Sequence, residues 1–383
     1  PCPLVSPAPL PTHGNRIIYY CVLALALSEL WLRVNEVMRE MFSTGKKNFS
    51  VSGLSSWKCR SLIGSLVMTL SLSINLAMAG DPFRTNNPKP IGEKTEAAFN
   101  AVFREGNYKA ATEIYLPEAE AQEPNEPLIY AMKASMVYTD WQSDKKNQAL
   151  SDSFKSYANK TRETAEKLKA TDPLRGNLYV AVGDGLDAAA VITEKGTLSG
   201  ASQALGKLQD VYRSLDEAEK IAPEDPEFNL LKGWLDLLIS VNLPFSNPEL
   251  AIKRLEKAAP SYLAYRGIAV GRRDLKQYQQ AQEYVDRALQ ETPNNPELNY
   301  LKAQILVDAK QDQEAQKYFQ LALANSEKLP KEMVAQIVRE QCKSQNTIDR
   351  DRQNKRNCSA MRNQVRAIAG KWGPSVSQLP KLD

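Results

Sequence analysis

Residues 269–289 read AVGRRDLKQYQQAQEYVDRAL and residues 303–323 read AQILVDAKQDQEAQKYFQLAL. Laid one above the other, they match at Ala269 and Ala303, Ala281 and Ala315, Tyr284 and Tyr318, Ala288 and Ala322, and Leu289 and Leu323, at a constant offset of 34 residues. Self-similarity at this period marks stacked helical hairpins. The paired alanines leave room for two helices to lie close, and Val285 and Phe319 fill the large slot that follows. Apolar residues recur at intervals of three and four, and no stretch alternates with period two long enough to make a strand. The fold class is therefore all-α, with no parallel sheet to seat a nucleotide.

Working outward, PEFNLLKG at residues 226–233 echoes PELNYLKA at residues 296–303, and its second helix carries Ala251, Leu255 and Ala258 after a long turn from Val241 to Pro248. Gly106-Asn107-Tyr108 followed by Ala111 opens a second helix further upstream, and Pro127 to Asp140, with Ala134 as the small residue, opens another hairpin. These residues resemble the tetratricopeptide repeat (TPR) family. The resemblance is strong over Pro226–Glu327, fair over Glu93–Asp140 and poor between, where residues 141–225 read as helical but off-period. The sequence departs from the family at Arg272 and Lys302, where a large apolar residue is usual; Leu301 and Leu306 are the neighbours expected to take over the packing.

The resemblance implies a right-handed superhelix of antiparallel helix hairpins, closed by a C-terminal helical cap, with a concave groove lined by the first helix of each hairpin. Such a groove takes an extended peptide or a helix. Its implied lining is Tyr138, Trp234, Arg266, Val270, Arg273, Tyr300 and Gln304. Apolar residues beside two arginines suit a ligand with apolar side chains and an acidic group or C-terminal carboxylate. The alternative is that Trp234 is core and the arginines are solvated. The family's Lys and Asn carboxylate clamp does not occur in register, so that specificity is not carried over.

Residues 41–79 have the order of a secretory signal: Lys46, Lys47, Lys58 and Arg60, then an apolar segment from Leu62 to Ala77, then Ala77-Met78-Ala79 before Gly80. Cleavage between Ala79 and Gly80 is expected. An uncleaved anchor is the alternative, against which the Ser-interrupted segment falls short of the roughly 20 apolar residues a span needs. Residues 1–40 read as an upstream extension, or alternatively as part of a long leader with two apolar segments, 80–92 as a Pro/Asn-rich lead-in, 93–329 as the repeat body and 330–383 as a basic cap and tail. The pattern around Gly80–Ala111 resembles TPR proteins exported by cyanobacteria, which implies the periplasm or thylakoid lumen.

The chain carries 49 Lys and Arg against 45 Asp and Glu, and its single histidine is His13. Residues 1–79 hold seven of those cations and three of those acids, so the remainder has 42 of each and is formally neutral. Neutrality argues against a nucleic-acid binder. The absence of histidine after residue 79 excludes there a Ser-His-Asp triad or a His-ligated metal. No cofactor or metal is expected. A binding scaffold that helps assemble an envelope or thylakoid complex is the favoured function. An enzyme using carboxylate or Lys chemistry is the alternative.

Two glycines in Val182-Gly183-Asp184-Gly185 lack the strand a phosphate loop needs and read as a kink or turn between helices. Glu217–Glu227 lacks calcium-loop spacing and reads as a helix end and turn. From Arg339 to Lys371 there are nine basic and three acidic residues, dominated by Arg350, Arg352, Lys355, Arg356, Arg362 and Arg366. That patch suits an acidic partner or an anionic membrane surface; a solvated cap is the bland alternative. Cys342 and Cys358 are the two cysteines after residue 79, and an even count in an exported chain points to a disulfide. It would close a polar loop from Lys343 to Asn357 between two amphipathic helices.

Overall fold

The computed structural model describes residues 80–241, 247–351, 353 and 355–382; His13, Cys2, Cys21, Cys59, Ala79 and Arg352 lie outside the described residues. Among those described there is no β-strand beyond an isolated bridge between Pro330 and Trp372. Successive helices pair into six hairpins and a cap. The first hairpin joins α1 (Glu93–Phe99), which runs on as a π-helical segment Asn100–Arg104, to α2, built of Tyr108–Ala110, a π-helical Ala111–Tyr115 and Leu116–Gln122. The second joins α3 (Pro127–Ser143) to α4 (Gln148–Leu168). The third is α5 (Pro173–Ile221), bent at Gly196. Then come α6 (Pro226–Ser240) with α7 (Pro248–Leu255), α8 (Ser261–Asp274) with α9 (Tyr278–Glu291), and α10 (Pro296–Asp308) with α11 (Asp312–Leu323). The cap is α12 (Lys331–Ile348) with α13 (Cys358–Ala367).

The helix starts follow from local chemistry. Proline opens α3, α5, α6 and α10, where its missing N–H costs nothing. The residue before it caps the free N–H groups: Asp172 accepts from Arg175 N at 3.1 Å, Asp225 from Phe228 N at 3.0 Å and Asn295 from Glu297 N at 2.9 Å. The repeat alanines Ala269, Ala281, Ala303, Ala315, Ala288 and Ala322 are all fully buried at helix contacts, and Val285 and Phe319 fill the slots beside them. Leu301 and Leu306 are buried as expected. The two departures have their own partners: Arg272 pairs with Glu249 of the preceding hairpin, and Lys302 reaches Asp286 at 2.8 Å.

The off-period region is two long hairpins. At 21 residues, α4 exceeds the helix length that a 34-residue repeat allows, which moves every later landmark out of phase. At Gly196 φ is +72°, a conformation glycine adopts without penalty, and the chain folds back there. Lys195 Nζ then donates to Gln203 at 2.8 Å, and Lys207 Nζ lies 3.3 Å from Asp187. Gly183 and Gly185 correct the expected kink, since they sit inside the straight first half of α5. A Cβ at Gly183 would fall 2.9 Å from Arg162 Cβ, so this glycine lets α4 approach.

The chain comes back on itself. Asn295 Nδ2, at the start of α10, donates to the carbonyls of Phe103 and Arg104 in the first hairpin at 3.0 and 3.2 Å. Gly106 faces Pro296 so closely that a Cβ would lie 2.7 Å from its Cδ. Beyond the cap, Lys371 reaches Asp140 at 2.7 Å and the Trp372 indole donates to Glu113. The sixth hairpin and the tail therefore pack on the first two.

Cys342 and Cys358 form a disulfide with Cα atoms 5.4 Å apart. The connecting loop is shorter than the sequence implied, because α12 continues past Cys342 to Ile348. Among the described residues no helix is long and apolar enough to cross a membrane.

Candidate first-helix face

The seven residues expected to line a groove all lie on first helices: Tyr138 on α3, Trp234 on α6, Arg266, Val270 and Arg273 on α8, and Tyr300 and Gln304 on α10. All seven are buried. Tyr138 stacks near Phe154, with ring centroids 5.1 Å apart, and its hydroxyl is 3.3 Å from Thr193 Oγ1. Trp234 packs against the next first helix, where a Cβ at Gly267 would meet its ring at 2.6 Å. That glycine sets how close α6 and α8 can come. Tyr300 and Phe319 are ring neighbours at 6.3 Å, on the facing sides of α10 and α11.

The two arginines carry intramolecular acceptors. Arg266 forms a fork with Glu297, at 2.9 Å from Nη1 and 3.2 Å from Nη2. Arg273 donates to Gln304 at 3.1 Å and to Asp274 at 2.8 Å, and Gln304 in turn donates to Glu340 of the cap at 3.1 Å. An acidic ligand at this face therefore meets cations already engaged by Glu297 and Asp274, which weakens the simple expectation of two waiting guanidiniums. Any such ligand would have to exchange with those acceptors.

A larger ionic hub joins the earlier hairpins, and the sequence reading missed it. Glu227, fully buried at the start of α6, accepts from Arg84 Nη2 at 2.8 Å, Arg175 Nε at 3.2 Å and Tyr179 Oη at 2.7 Å. Arg175 also forks onto Glu126, at 3.0 and 2.8 Å, and Arg84 onto Asp225, at 2.7 and 3.0 Å. Burial alone would push the Glu227 carboxyl up, but Arg175 and Arg84 beside it hold it below the ordinary carboxylate range. The same desolvation pushes the Tyr179 phenol well up. The pattern repeats: an arginine on one first helix meets the glutamate at the second position of the next, Arg175 with Glu227 and Arg266 with Glu297. The Pro-Glu dipeptides at Pro226 and Pro296 were the available sequence signal.

An open cleft of about 440 Å³ runs beside this hub between Phe83–Lys89 and Leu174, Ile221, Ala222 and Pro226. Its charged lining is already paired, Arg84 with Asp225 and Lys89 with Asp172. Among the described residues no cluster of His, Cys, Asp and Glu could hold a metal ion. Of the basic patch, Arg350 and Lys355 are exposed, Arg356 is bonded to Asp349 at 2.7 Å and Arg366 to Glu332 at 2.7 Å.

Residues 273–336, from the end of α8 into α12, match the family model for the tetratricopeptide repeat. No curated protein matches the chain. That segment and the strand-free run of helix hairpins among the described residues agree in an all-α fold of TPR-type hairpins.

Proposed function

We propose that this chain is an exported scaffold that holds a peptide or helix of a protein partner along its first-helix face. The observation that supports the reading is the tandem array, in which first helices of neighbouring hairpins lie side by side. Export is supported by the secretory order of residues 41–79 and by the disulfide, a bond that persists in oxidising compartments. The destination proposed is the periplasm or thylakoid lumen, and the role is assembly of an envelope or thylakoid complex.

A photo-crosslinking residue placed at Val307, half-buried at the end of the first helix α10, tests the face, with Leu321, 42% exposed on the second helix α11, as the control position. In the producing cell, the Val307 position should capture a discrete partner and Leu321 should not. Capture from Leu321 alone would overturn the reading. N-terminal sequencing of the same sample should begin at Gly80; a start at Pro1 or Met41 would remove export.

A further inference from the structure

The cations of the cap fall into two kinds. Arg356 is bonded to Asp349, Lys371 to Asp140, and Lys331 to the Ile368 carbonyl at 2.8 Å. Arg339 on α12 and Arg362 on α13 are half-buried, and among the described residues neither has an ion-pair or hydrogen-bond partner. Their placement is fixed by the disulfide. Arg339 lies three residues before Cys342, and Arg362 four residues after Cys358. On antiparallel helices these steps run the same way, so both guanidiniums stand about one turn from the bridge on the same side. One turn further, Arg366 meets Glu332, at 2.7 Å from Nε and 2.5 Å from Nη2.

Arg362 thus stands within electrostatic reach of two other guanidiniums and of one carboxylate, Glu332. The Arg362 group is held below its usual range by burial and then by the positive charges of Arg366 and Arg339, with Glu332 opposing them. The rest of the body is of opposite sign: residues 80–338 carry 38 acidic against 32 basic residues.

We propose that Arg339, Arg362 and Arg366 form a second docking site, apart from the first-helix face, for an acidic protein segment presenting two closely spaced carboxylates. A planar guanidinium can match a carboxylate with two parallel hydrogen bonds, and Arg366 already holds one carboxylate of the cap, Glu332, through its Oε2. The neighbouring seat, between Arg339 and Arg362, has none from the described residues. A protein segment suits it better than a lipid surface, because none of the large exposed apolar side chains lies between Lys331 and Lys371 to enter a bilayer.

The test is fluorescence anisotropy with the full chain and two labelled peptides, one of repeated Glu-Glu-Ser and one of repeated Gln-Gln-Ser. The acidic peptide should bind and its amide counterpart should not. Arg339→Gln with Arg362→Gln should weaken binding about tenfold or more, while Arg350→Gln with Lys355→Gln, on the exposed loop, should stay within about twofold. Circular dichroism establishes that both variants are folded. Failure of the acidic peptide to bind, an unchanged affinity in the Arg339/Arg362 variant, or an equal loss in the loop variant would overturn the site. So would co-sedimentation with phosphatidylserine vesicles that depends on Arg339 and Arg362 and that the acidic peptide does not compete away. The crosslinking position Val307 is on α10 and these arginines are on α12 and α13, so this test and the crosslinking test fail independently.

Discussion

Glu227→Ala measures what the buried ionic hub contributes to holding the first helices in line. With the carboxylate gone, Arg175 keeps Glu126 and Arg84 keeps Asp225 and Asp81, so neither cation is left alone. Tyr179 fares worse: its buried hydroxyl loses the Glu227 acceptor at 2.7 Å. Stranding a buried hydroxyl costs about 1–3 kcal/mol, and removing one member of a buried ion pair costs about 3–5 kcal/mol. The retained partners place the expected loss at the lower end, about 3 kcal/mol, a large share of the roughly 5–15 kcal/mol that stabilises a domain. With a urea m-value of about 3 kcal/mol/M, the unfolding midpoint should fall by about 1 M. Hydrogen exchange should show lost protection concentrated in α5 and α6. The pH dependence has a defined sign. A carboxyl whose folded pKa lies below its unfolded value of about 4.3 contributes stability that is full above that pH and is lost as pH falls through the folded value. Acidification below about pH 4 should therefore destabilise the parent chain more steeply than the variant. A midpoint shift under about 0.3 M, or protection lost evenly along the chain, would refute the assignment of the hub as a local clamp.

Three further outcomes are expected. Gly267→Ala puts a methyl 2.6 Å from the Trp234 ring and should destabilise by about 1–3 kcal/mol despite alanine's better helix propensity, with Trp234→Leu in the same chain recovering part of the loss in a double-mutant cycle by urea unfolding. Cys342→Ser should cost about 3 kcal/mol, read as faster hydrogen exchange in α12 and α13 with the hairpins upstream unchanged. Asn295→Asp keeps the α10 cap but sets a carboxylate against the Phe103 and Arg104 carbonyls, so small-angle scattering should report a larger radius of gyration; an unchanged radius would mean the contact between first and sixth hairpins does not depend on that side chain.

Legibility in this sequence tracks how local the determining physics is. The offset that pairs Ala269 with Ala303 reports helix contacts within and between adjacent hairpins, and α8–α11 appear where it places them. The disulfide was legible because only two cysteines remain after residue 79, near the facing ends of two amphipathic segments. The turn in α5 was not, because one glycine among Ala, Leu and Lys makes it, with neither Pro nor a capping Asn to mark it. The charged groups were hardest. Arg84 meets Glu227 across 143 residues, and no periodicity connects the lead-in to α6. On a helical wheel Arg266 and Arg273 look like solvated or ligand-facing cations; their acceptors become visible only when α10 is laid beside α8. Arg339 went the other way. It reads as one more charge in a basic tail, and the disulfide that sets it opposite Arg362 makes it a candidate for an acidic partner. In this fold a lone charge in the sequence has no meaning until its neighbour hairpin is known. The arginines that the chain has answered with its own glutamates stabilise the stack, and the pair on the cap with no carboxylate bonded to it among the described residues is where the proposed external carboxylate would gain most.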